Sequence, residues 1–73
     1  MKLYVRMLMG LIIPIELDHT NSVYQLKYKI YRKTSVLPEN LKLTYNDTEL
    51  LDEYTLQNYN IKDEHFIFQQ KNQ

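Results

Sequence analysis

The side chains able to do chemistry are few and scattered in this chain. His19 and His65 lie far apart, each in a stretch that reads as loop, and no acid near them has metal-ligand spacing. Both read as surface histidines. Asp52-Glu53 and Asp63-Glu64 are adjacent carboxylates in turns. Neighbours in sequence point apart, whereas general acid–base work needs groups converging on one cleft. Ser22 and Ser35 have no base in view to activate them. Cysteine is absent, which removes a thiolate nucleophile, disulfides and thiolate metal sites. Gly10 is the only glycine, so the phosphate-cradling G-x-G-x-x-G and Walker A loops are excluded. The expectation is no catalytic, cofactor-binding or metal-binding residue, and no enzyme.

Composition narrows the class further. The 73 residues make one small domain, too short for a second core. Lys+Arg is 9 and Asp+Glu is 9, so no surplus of cations favours a nucleic acid. A hydrophobic content of 44% with seven tyrosines is too apolar for a disordered tail. The apolar run Met7–Ile15 follows Lys2 and Arg6 in the manner of a signal peptide, but Glu16, Leu17, Asp18 and His19 offer no small-residue cleavage site. It is also too short to span a bilayer. The reading is a soluble intracellular chain, cytoplasmic and/or nuclear, that engages neither nucleic acid nor membrane.

The elements follow from periodicity. Met1, Leu3, Val5 and Met7 alternate with Lys2, Tyr4 and Arg6, as in a strand with one buried face. Gly10 suits a left-handed turn, and Ile13, Ile15 and Leu17 then share a face, giving a hairpin over residues 1–17. Pro14 lacks an N–H, which places this second strand at a sheet edge. Ser22 and Gln25 have capping-box spacing, and Val23, Leu26, Lys27 and Ile30 form a helical stripe. The helix ends near Lys33 or Thr34, with Ser35 left to adopt the unfavourable capping conformation that glycine usually takes. Leu41, Leu43 and Tyr45 mark a third strand, Asn46-Asp47 a turn tolerant of positive φ, and residues 48–50 a short strand. Thr55 caps a brief helical turn through Tyr59 that Asn60 closes, and residues 66–69 form the last strand. The tail 69–73 is polar and expected to fray.

This order resembles the β-grasp fold, an α+β architecture with a mixed four- to five-stranded sheet packed on one helix. The residues resemble ubiquitin colinearly from Met1 to about Phe68, making 1–68 a ubiquitin-like domain. The matching positions include Met1, Val5, Leu8, Gly10, Ile13, Glu16, Lys27, Lys29, Ile30, Lys33, Pro38, Leu43, Leu50, Asp52, Ile61 and Glu64. The most specific piece is the run Thr55-Leu56-x-x-Tyr59-Asn60-Ile61, a structural corner rather than a generic apolar pattern.

The resemblance draws attention to three features that carry ubiquitin's biochemistry. Its C-terminal di-glycine has no counterpart in Lys71-Asn72-Gln73, so as written the chain is not a conjugated modifier. The receptor-binding patch matches Leu8, Thr44, Phe68 and Gln70, where Thr44 and Gln70 replace the central aliphatics. Losing two apolar anchors costs about 1–3 kcal/mol for each side chain, so ordinary ubiquitin receptors should bind poorly. Of the chain-forming lysines, Lys27, Lys29 and Lys33 are kept, whereas Arg6, Leu11, Thr48 and Asp63 replace the others. The family suggests that Lys27 pairs with Asp52 on the inner side of the helix.

If the strands pair as in the family, in the order second, first, fifth, third, the outward side chains form rows Pro14–Tyr4–Phe66 and Ile12–Arg6–Phe68–Thr44. Tyr4, Ile12, Phe66 and Phe68 then adjoin in an apolar and aromatic patch flanked by Arg6, Lys2 and Lys42. Such patches tend to be contact surfaces, and aromatics with arginine make good anchors. Single exposed apolar residues are ordinary in a small domain, and Phe66 and Phe68 also favour strands. Four of them on one face favour a contact surface. The expected protein-binding set is Tyr4, Arg6, Leu8, Ile12, Thr44, Phe66, Phe68 and Gln70.

The resemblance therefore implies a non-conjugated ubiquitin-like domain that recognises proteins non-covalently in or near the ubiquitin–proteasome pathway, as part of a larger protein. The partner would be a ubiquitin-pathway receptor, a proteasome component, a neighbouring domain or a second copy held weakly through the sheet face. The alternatives are a divergent modifier whose Gly-Gly tail lies beyond this sequence, and a regulatory domain appended to a ubiquitin-pathway enzyme.

Overall fold

The alternation at the start of the chain produces β1 (Lys2–Arg6), with Leu3 and Val5 fully buried and Arg6 exposed. The computed structural model describes residues 1–71. Gly10 turns the chain at φ +90°, with its N–H donating to the Met7 carbonyl, and β2 (Ile12–Glu16) returns antiparallel to β1. A Cβ at Gly10 would meet nothing, so the backbone angle alone requires glycine there.

Met1 and Leu17 exchange both backbone hydrogen bonds across this hairpin, and the Met7 N–H donates to the Leu11 carbonyl. By the alternation of an antiparallel ladder, Tyr4 and Pro14 are then a non-hydrogen-bonded pair. The N–H that Pro14 lacks would have pointed away from the sheet, so the proline costs the ladder nothing.

The helix α1 (Val23–Thr34) begins at the capping box. The Ser22 hydroxyl accepts from the Gln25 N–H at 3.1 Å, and the Gln25 side-chain oxygen accepts from the Ser22 N–H at 2.8 Å. Val23, Leu26, Lys27 and Ile30 are its buried face. Ser35 stops it at φ 66°, its N–H donating to the Tyr31 carbonyl. A 3-10 turn (Pro38–Asn40) leads into β3 (Lys42–Tyr45), which pairs with β4 (Thr48–Glu49). Tyr45 faces Thr48 across a two-residue turn in which Asn46 and Asp47 both have positive φ.

The corner before the last strand is held by side chains. Thr55 and Asn58 exchange bonds with each other's backbone N–H, at 2.9 and 3.2 Å, around the 3-10 turn Gln57–Tyr59. Asn60 closes it at φ 56°, and the Tyr59 hydroxyl accepts from the Leu51 N–H at 2.9 Å. A further positive φ, 65° at Glu64, was not foreseen; its N–H donates to the Lys2 carbonyl at 2.7 Å and turns the chain into the final strand.

That strand, β5 (Phe66–Gln70), runs parallel to β1 and antiparallel to β3, giving the sheet order β2-β1-β5-β3-β4. The strand extends past the expected end at residue 69. Gln69, the expected last residue of the strand, pairs with Leu43, and Gln70, expected only in the polar tail, pairs with Lys42. The cause is local: Gln69 Oε1 accepts from the Leu8 N–H at 3.0 Å, and Gln70 Nε2 donates to Thr44 Oγ1 at 3.0 Å. Of the rest of the expected tail, Lys71 is exposed and lies beyond the strand, while Asn72 and Gln73 lie outside the described residues.

Sixteen hydrophobic residues form one core between the helix and the inner sheet face, including Leu3, Ile15, Leu26, Leu43, Leu56 and Ile67. One helix on a five-stranded mixed sheet, with first and last strands parallel at its centre, is the β-grasp topology.

Candidate functional site

The outer sheet face is built by the pleat. Each inward residue of β1, β2, β3 and β5 leaves its neighbours pointing away from the helix. The registers put Pro14, Tyr4 and Phe66 in one row, and Ile12, Arg6, Phe68 and Thr44 in the next. These are the rows that the family resemblance implied.

Three rings run together across the rows. Tyr4 stacks on Phe66 at 5.4 Å between centroids and 29° between planes, and Phe66 lies 6.4 Å and 20° from Phe68. Such offset ring pairs contribute beyond their buried area. Phe66 and Phe68 remain 42% and 41% exposed, so the rings present their free sides to solvent. Ile12 is exposed but is separated from Phe68 in its row by Arg6.

Leu8 stands elsewhere, at the hairpin tip, tied by its N–H to Gln69. Its exposed neighbours there are Met9, 96% accessible, and Leu11, neither of which is in the protein-binding set expected from the sequence. The signal was available: both belong to the apolar run Met7–Ile15, which strand periodicity accounted for only in part. At the other side of the face, Thr44 and Gln70 satisfy one another through their 3.0 Å hydrogen bond, making the matching receptor position polar and internally paired.

Asp52, Asp63, His65 and Ser22, among the groups considered for chemistry, hold structural partners. Asp63 Oδ1 accepts from the Lys2 N–H at 2.8 Å. His65 is exposed, yet its Nδ1 lies 2.6 Å from the Tyr45 hydroxyl and its ring tilts against that tyrosine at 5.9 Å. The sequence reading of a plain surface histidine missed this bond, because the antiparallel pairing of β5 with β3, which brings His65 near Tyr45, has no local signature. Among the described residues, no group of three His, Asp or Glu could hold a metal ion, and no helix is long and apolar enough to cross a membrane.

Lys27 separates from the other two retained lysines. Its Nζ lies 2.7 Å from Asp52 Oδ1, and its side chain is 10% exposed, while Lys29 and Lys33 face solvent. This is the pairing the family resemblance suggested. Asp52, 51% exposed, can be rehydrated if Lys27 is lost; the lysine, buried at the core edge, is the member that needs its partner. Asp52→Ala is therefore expected to lower stability by about 1–3 kcal/mol and Lys27→Met by less than about 1 kcal/mol. Urea unfolding of both variants checks this; equal losses would contradict it.

A small β-grasp domain, one helix on a five-stranded mixed sheet, is the architecture of a ubiquitin-like module. The ubiquitin family model matches residues 3–73, and the chain belongs to the ubiquitin family.

Proposed function

We propose that this domain acts in non-covalent protein recognition, in or near the ubiquitin–proteasome pathway, through the outer face of its sheet. The observation that carries the reading is the run of three stacked rings, half-buried Tyr4 with exposed Phe66 and Phe68, beside exposed Arg6. Rigid aromatics lose little entropy on contact and bury much area, and an adjacent guanidinium supplies directional hydrogen bonds at the rim. The partner is a protein carrying a complementary apolar surface, either a pathway component or a neighbouring domain. The polar Thr44–Gln70 pair disfavours the flat apolar contact of a general ubiquitin receptor, so a specialised partner fits better.

Affinity capture with three baits tests it: the unaltered domain, Phe66→Ser with Phe68→Ser, and Glu53→Ser as a control in a turn away from this face. Proteins held by the first and third baits should be lost from the second, whose circular dichroism stays native. Capture unchanged by the double substitution would remove the proposal.

A further inference from the structure

A groove of ≈ 1000 Å³ lies between the free edge of β2 and the outer side of α1, and meets the row of stacked rings only at Pro14, beside Tyr4. Pro14, Ile15, Tyr24 and Tyr28 give it an apolar lining. Lys2, Lys29, Arg32 and Lys33 stand around it, opposed by Glu16. A chain with 9 cations and 9 anions has thus put four of the former and one of the latter at a single groove. Among the described residues none of these four cationic side chains is salt-bridged, whereas Glu16 lies 3.9 Å from the N-terminal amine.

We infer that this groove binds an acidic peptide segment carrying at least one apolar side chain. Carboxylates of the segment meet Lys2, Lys29, Arg32 and Lys33, and its apolar residue lies over Tyr24, Tyr28 and Pro14. The local charge supplies the attraction. A nucleic acid is disfavoured because the chain as a whole is neutral and the lining is apolar. The mode of contact also follows from the fold. On the free edge of β2 the outward backbone groups belong to Ile12, Pro14 and Glu16, and the central one has no N–H to give. Strand addition would leave a gap at its middle, so the peptide is held by side chains.

The test is an amide NMR titration of the 73-residue chain with a capped peptide, Glu-Asp-Phe-Leu-Asp-Glu, at low salt. Shifts should concentrate on α1 from Tyr24 to Lys33 and on Ile15 and Glu16. Affinity should fall at least about tenfold on raising salt from about 0.05 to 0.5 M. It should fall comparably with Arg32→Glu plus Lys33→Glu. Because those residues also sit at the helix C-terminus, Lys2→Gln with Lys29→Gln is the companion variant and should weaken binding in the same direction.

Equal affinity for the amide analogue Gln-Asn-Phe-Leu-Asn-Gln would overturn the inference. So would shifts centred on Tyr4, Phe66 and Phe68, or tighter binding of an oligothymidine. Shifts in the same groove on concentrating the protein alone would assign it to a second copy instead, and would equally overturn it.

Discussion

Ile67→Ala should remove about 2–5 kcal/mol of stability, while Phe68→Ala, one residue on, should remove less than about 1 kcal/mol. Ile67 is fully buried in β5, paired with Val5 of the parallel neighbour. Truncation there leaves a void beneath the helix that a close-packed interior fills only in part. Phe68 points the other way and keeps 41% of its surface in water. For a domain of 73 residues the whole stability is about 4–11 kcal/mol, so the first change consumes much of it. Urea unfolding followed by circular dichroism measures both. A loss at Phe68 equal to that at Ile67 would mean that the outer face is packed, and would remove it as a free binding surface.

Thr44→Ile with Gln70→Val should confer affinity for a ubiquitin-binding helix that the unaltered chain engages only weakly. Each substitution restores an apolar anchor worth about 1–3 kcal/mol, so the pair should tighten binding by about 30-fold or more. The fold should tolerate the exchange. The two side chains hydrogen-bond mainly to each other, and both lose that partner together, which leaves no orphaned polar atom. A single change, Thr44→Ile alone, frees the Gln70 amide at the interface and should gain far less. Titration of the helix against the three forms measures the gain. Submillimolar binding by the unaltered chain, or no gain in the double variant, would show that Thr44 and Gln70 do not control receptor contact.

Much of this was legible in the chain because the signals were local. The period-2 pattern of residues 1–7, the Ser22 and Gln25 capping pair and the Thr55–Asn60 corner each specify their own backbone within a few residues. The outward rows needed more than pattern. Alternation says that Tyr4 and Phe66 leave the core, but only the ubiquitin resemblance supplied the register that sets them side by side. Besides the Tyr45–His65 bond and the exposed hairpin tip, three things escaped. Glu64 gives no compositional warning of a positive φ. The final strand reaches Gln70, whose side chain bonds to Thr44 across the sheet, whereas its polarity alone suggested a tail. The groove beside α1 arises from Lys2, Lys29, Arg32 and Lys33 converging from two elements, and net charge conceals such segregation.

The parallel pairing of β1 with β5 has a consequence for how the chain is made. Translation delivers β1, β2 and α1 first, yet β1 has only one neighbour until Phe66–Gln70 emerges. From Glu16 to Phe66 the ribosome must add about 50 residues, which at roughly 5–20 residues per second takes roughly 3–10 s. Throughout that interval the inner edge of β1 is unpaired and the apolar hairpin has nothing to complete its sheet. The outer edge already carries Pro14, which blunts adventitious strand pairing; the inner one has no such guard. Nascent chains stalled before residue 66 should therefore be the form most dependent on chaperones.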